Sequence, residues 1–122
     1  VLNGLDAANP PIATDYSNLM IQPASAHWAH KSYAKVRDQA DISVLSANAG
    51  LRFRWMSNDL PWCGLWLDYG GWPAENPVHQ VAIEPTTAPA ENPSSAAQSG
   101  FGRQLQPGQT DHWSLKIELF SD

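Results

Sequence analysis

Apolar residues recur at every second position in several short runs of this chain, and no long run repeats them at helical spacing. Leu51, Phe53 and Trp55 alternate with Arg52 and Arg54; Trp113, Leu115, Ile117 and Leu119 alternate with His112, Ser114, Lys116 and Glu118. A period of two puts successive side chains on opposite faces, so each run reads as a strand with one apolar side. The pattern predicts that both of these sets face inward.

The same reading extends along the chain. Between His27 and Val36 the residues Trp28, His30, Ser32, Ala34 and Val36 share one side, and Asp41 to Ser46 is a second strand closed by an Asn48-Ala49-Gly50 turn. Cys63, Leu65 and Leu67 alternate with Trp62, Gly64, Trp66 and Asp68, which predicts a strand covered on both faces. Val81 and Ile83 oppose Gln80, Ala82 and Glu84, and Ser94 to Ser99 suits one helical turn before Gly100 stops it. Pro107-Gly108 is a turn directly before the last strand.

Residues 1–26 read as an irregular lead. Asn9-Pro10-Pro11 and Gln22-Pro23 signal turn or extended chain, and Leu19-Met20-Ile21 is the lead's strand seed. About six strands without a long helix predict an all-β, antiparallel domain, a β-sandwich, in a chain of 122 residues that holds a single domain.

Charge narrows the function. Only 16% of residues are charged, against ~25% in typical domains, and the net charge is −5 with the basic residues spread singly. A nucleic-acid groove needs a clustered basic face, and a membrane patch needs a polybasic run, so neither partner is expected. The single cysteine, Cys63, excludes an internal disulfide and a multi-cysteine zinc site, and its apolar strand marks it as a buried, inert thiol. No cofactor is expected. No apolar run approaches the ~18 residues of a membrane span and no signal-peptide pattern opens the chain, which begins with Val1 and reads as processed or as a piece of something longer. No signal fixes a compartment, with the cytoplasm favoured.

Three of the six tryptophans lie between Trp62 and Trp72, in a stretch closing on Gly70-Gly71, and Glu84 follows on the next strand. An indole plane stacks on the C–H face of a pyranose, while a carboxylate or amide binds its hydroxyls. The candidate sugar contacts are therefore Trp66, Trp72, Asp68 and Glu84, with Arg54 added for hydroxyls or phosphate. Each has a plainer role open to it: core packing for the indoles, a solvated face for Arg52 and Arg54. Asp68 with Glu84 also allows a glycosidase carboxylate pair. His27 and His30 cannot share a metal, since residues three apart on a strand face opposite ways, and no metal is expected. Five steps of strand separate His79 from Glu84, about 16 Å and opposite faces, which makes His79 a poor acid partner.

The ordered set Gly64-Leu65-Trp66-Leu67-Asp68-Tyr69-Gly70-Gly71-Trp72-Pro73, Val81-Ala82-Ile83-Glu84-Pro85-Thr86-Thr87, Leu105-Gln106-Pro107-Gly108-Gln109-Thr110 and Trp113-Ser114-Leu115-Lys116-Ile117 resembles the C-terminal portion of the aldose 1-epimerase-like (galactose mutarotase-like) family. The resemblance covers residues 51–122 well and 19–50 loosely. It implies a β-supersandwich, a hexose ligand and interconversion of anomers, with Glu84 as general base on the anomeric hydroxyl and a histidine protonating the ring oxygen. The family's acid histidine, helper histidine and substrate arginine precede the matched region. The chain is thus expected to be a C-terminal fragment or reduced variant, either an epimerase completed from elsewhere or a non-catalytic carbohydrate-binding or structural domain. A partial sandwich exposes an apolar face, which predicts a homo-oligomer, most simply a two-fold dimer.

Overall fold

The computed structural model describes residues 2–6 and 20–121. The Asn9-Pro10-Pro11 turn and Leu19 lie outside these, and Met20 and Ile21, the rest of the strand seed, are irregular. Where two strands are expected over 27–36 and 41–46 there is one: β2 runs unbroken over Trp28–Leu45, 18 residues. The joining Arg37-Asp38-Gln39 carries no glycine or proline to end the extension. Ala40 continues the side of Val36 and Ile42 and is as buried as they are. The alternation therefore passes straight through the polar joint.

Two strands return along β2. β3 (Ala49–Met56) pairs with residues 39–45 and β4 (Trp62–Tyr69) with residues 28–35, both antiparallel. The turn into β3 is tighter than expected: Ser46 N–H and Oγ–H both donate to Ala49 O, and Ala49 and Gly50 already belong to the strand. A Cβ at Gly50 would lie 2.4 Å from the Phe120 ring, so a side chain there would have to displace that ring. Between β3 and β4 the chain turns on Met56 O, which accepts from the Asp59 and Leu60 N–H groups, and the buried Trp55 indole N–H pins the turn by donating to Leu60 O.

β5 (His79–Thr86) pairs with β4, β6 (Lys116–Ser121) with β3, and β1 (Leu2–Leu5) with β2. β1 lies inside the stretch read as an irregular lead. Four residues are too few to show a period; β2 supplies the pairing that makes them a strand. Val36 N–H donates to Pro61 O whereas Lys35 C=O accepts from Asp6 N–H. One peptide's two polar groups point to opposite edges of a strand, so β1 flanks one edge of β2 and the β3–β4 connection the other. Outside the sheet, α1 (Pro93–Gln98) is capped by the Asn92 side chain, which accepts from Ser95 N–H at 2.9 Å, and it ends before Gly100 at φ +75°.

The all-β antiparallel class is the one found. The expected sandwich is not: among the described residues all six strands form one sheet, curled into a half-barrel. Directly opposed residues share a face, and the register places Val36, Ile42, Phe53, Trp55, Cys63 and Leu65 on the same apolar side. That side is well packed at its centre, where Val36, Ile42 and Leu65 are buried, and bare at β6. Leu119 is 77% exposed, Ile117 54% and Trp113 59%, against the inward orientation expected of them. The last strand also starts later than expected, at Lys116, because Ser114 N–H turns to the Asp59 carboxylate instead of to β3. Pro107-Gly108 forms its turn, with Gly108 at φ +80° and Gln109 N–H donating to Gln106 O, but an irregular stretch separates it from β6.

This contrast predicts a measurable split. Ile42→Ala should lower the unfolding free energy by about 2–5 kcal/mol, the range for a buried aliphatic truncation. Leu119→Ala should change it by no more than about 0.5 kcal/mol. Urea denaturation at low protein concentration checks both, and a large loss at Leu119 would mean that the stripe is covered.

Candidate functional site

Alternation along β4 sends Cys63, Leu65, Leu67 and Tyr69 to the apolar face and Trp62, Gly64, Trp66 and Asp68 to the opposite, outer face. The register then assembles three rows there: Lys31, Trp66 and Ala82; Tyr33, Gly64 and Glu84; Lys35, Trp62 and Thr86. Because Gly64 has no side chain, Glu84 on β5 reaches across β4 and forms an ion pair with Lys31 on β2. A Cβ at Gly64 would sit 3.1 Å from Glu84 Oε2 and 3.4 Å from Tyr33 Cε1, tight against both. The Lys31 ammonium also lies 5.5 Å from the Tyr33 ring centre, a cation–π contact. The Tyr33 hydroxyl donates to the Glu91 carboxylate. Burial first, then that bond, pushes the phenol well above its ordinary range.

The indoles meet at the neighbouring row. Trp66 and Trp72 stand at 85° with ring centres 6.0 Å apart, and Trp72 is 57% exposed. Asp68 places Trp72 there. Its Oδ1 accepts from Gly71 N–H at 2.9 Å and from Trp72 N–H at 3.2 Å, and Val78 N–H closes the loop onto Trp72 O. Gly71 passes so near β2 that a Cβ would lie 2.4 Å from Trp28 C.

Of the five expected site residues, the structure brings Trp66, Trp72 and Glu84 to one face. Asp68 is fully buried and holds the turn; it does not face a ligand. Its row also lies four steps of strand from that of Glu84, about 13 Å along the backbone, so the two carboxylates do not stand as a facing pair. Arg54 lies with the β3–β6 half, ion-paired to Glu118, ten residues along β2 from Lys31 by their partners. Lys116, then Arg54, hold the Glu118 carboxyl below the usual range, and Arg52 does the same for Asp41. Glu84 sits two residues inside the end of β5, which continues through Pro85 to Thr86; among the described residues β5 is an outermost strand, where a proline is tolerated.

Sequence reasoning passed over two residues that the site uses. Lys31 stood in the sequence without a chemistry, and Gly64 was one glycine among eight. A small residue between two tryptophans at alternate positions was the available signal for Gly64.

The histidines on strands serve the other face. His30 stacks on Trp28 at 5.4 Å and 13°, and the His79 ring sits 2.8 Å from Gln22 O beside Tyr69. Cys63 is buried, and desolvation raises its thiol pKa to about 12, which leaves it unreactive. The apolar face also holds a cavity of about 430 Å³, lined by Val44, Leu65, Leu67, Tyr69, Val81 and Ile83 among others. Among the described residues no three His, Cys, Asp or Glu side chains group as a metal site requires. Comparison with protein-family models, curated protein sequences and solved structures found no match.

The Asp68 anchor is testable. Asp68→Ala orphans two backbone donors and should cost about 1–3 kcal/mol. It should also weaken the near-ultraviolet dichroism of the Trp66–Trp72 pair, while Asp68→Asn, which keeps an acceptor, retains most of both. Unchanged stability and unchanged dichroism in Asp68→Ala would remove this role.

Proposed function

We propose that the chain binds a carbohydrate on the outer face of β2, β4 and β5 without interconverting its anomers. The observation that carries this reading is the right-angled Trp66–Trp72 pair beside the Lys31–Glu84 pair, Lys31 in the row of Trp66 and Glu84 in the next. An indole face and a cluster of charged donors and acceptors are the two halves of a pyranose site, since sugar hydroxyls both donate and accept. Trp72 exposes more than half its surface, which makes it available to a ligand. The resemblance to aldose 1-epimerases supports the same glutamate as a sugar contact.

Catalysis is the weaker reading for this chain. Anomer exchange needs a base at the anomeric hydroxyl and an acid at the ring oxygen. Glu84 is paired with Lys31, and the two strand histidines, His30 and His79, belong to the opposite face.

Galactose or glucose at millimolar concentration should shift tryptophan fluorescence and amide resonances of the β4 and β5 outer-face residues. Trp72→Ala should weaken binding about tenfold, the worth of one aromatic stacking contact of ~1.4 kcal/mol, with the fold intact by circular dichroism. Failure of every tested hexose to bind would sink the reading. Polarimetry of fresh α-glucose should run at the spontaneous rate; an acceleration that Glu84→Gln abolishes would establish an epimerase instead.

The proposed assembly is a two-fold homodimer through the apolar face. Leu51, Ile117 and Leu119 lie side by side in register and all are exposed, and an apolar stripe is complementary to its own copy about a dyad. Sedimentation equilibrium should find a dimer that Leu119→Lys dissociates. A monomer that binds an apolar dye would leave the stripe uncovered and end the dimer proposal.

A further inference from the structure

The outer face carries a second aromatic corner that a single hexose would not use. Trp62 stands four residues before Trp66 on the same side of β4, about 13 Å away at the strand rise. The Phe101 ring meets Trp62 at 81° with centres 5.3 Å apart, much as Trp72 meets Trp66, and Phe101 is 44% exposed. Between the two corners Gly64 carries no side chain, and the Lys31–Glu84 pair bridges over it beside Tyr33. The order along the strand is thus ring pair, polar gap, ring pair.

We infer that the ligand of this face is a neutral glycan chain of at least three sugar residues lying along β4. This rests on the carbohydrate-binding reading above and names its substrate class. One pyranose ring covers roughly one indole and cannot span two corners this far apart. A linear chain can stack its end units on Trp66–Trp72 and Trp62–Phe101 and turn the hydroxyls of its middle unit to Lys31 and Glu84. The charge of Lys31 is already balanced by Glu84, so the middle position calls for hydroxyls and not for an acidic sugar. The cavity on the apolar side is lined by residues of β2, β4 and β5, which places the curl of the sheet toward that side and leaves the glycan face on the outside of the curve.

The experiment is a length series by calorimetry and amide NMR, using linear β-1,4- and α-1,4-linked glucose oligomers from mono- to hexasaccharide with the intact chain. In at least one series affinity should rise about tenfold or more from mono- to trisaccharide, the worth of one further stacking contact, and then level off. Phe101→Ala and Trp62→Ala should remove that gain and leave monosaccharide binding unchanged. Phe101 lies on a loop, so its variant tests the second corner even if Trp62→Ala fails to fold. Monosaccharide binding with no gain from length, or a gain that persists in Phe101→Ala, overturns the glycan-chain inference and leaves the carbohydrate reading standing. Absence of binding at every length in both series overturns both.

Discussion

An extended segment of 18 residues carries backbone N–H and C=O groups along both edges, and such a segment persists only if those groups find partners. β2 finds them in β1 along residues 36–42 of one edge and in β3, β4 and their connection on the other, and β5 and β6 are attached through β4 and β3. The chain from Met56 to Trp62 takes six steps where β2 takes four, from Gln39 to Lys35. The two surplus residues are taken up in the turn on Met56 O, and that turn divides the sheet into a β4–β5 half and a β3–β6 half.

The two faces then diverge in chemistry. On the apolar face, Ile42, Val36 and Leu65 interlock where the curl brings the strands together, while Leu51, Ile117 and Leu119 lie beyond the curl and face open space. On the outer face the two halves also differ. Around β3 and β6, Arg52 pairs with Asp41 and Arg54 with Glu118, so charge is matched within the sheet and little is left for a ligand. Around β4, aromatic rings alternate with a glycine, and the Lys31–Glu84 pair sits in the gap. That half alone joins large apolar planes to polar groups within reach of one molecule.

Much of this was legible in the sequence. Period-two patterning located β3, β4 and β5 and separated the two faces of β4, and Trp66, Trp72 and Glu84 were read together as sugar contacts. Local chemistry foretold the helical turn before Gly100 and the Pro107-Gly108 turn. It misjudged β1, whose four residues become a strand through pairing with β2, and the β2 joint, where no local breaker was present. Asp68 read as a ligand contact because an aspartate on an aromatic strand face is ambiguous until its neighbours are known.

Residue identity by itself determined the antiparallel all-β class, the absence of disulfides within the chain, and the division of each strand into an apolar and a polar side. Side-chain alternation and cysteine number are properties of the chain alone. Tertiary structure decided what those sides meet. It placed Lys31, Tyr33, Gly64 and Glu84 in adjoining rows although 53 residues separate Lys31 from Glu84, buried Asp68 under the loop it anchors, and left the last strand's apolar stripe bare. Strand register is set by hydrogen bonds between segments distant in sequence, and a pattern within one segment carries no information about its partner's offset.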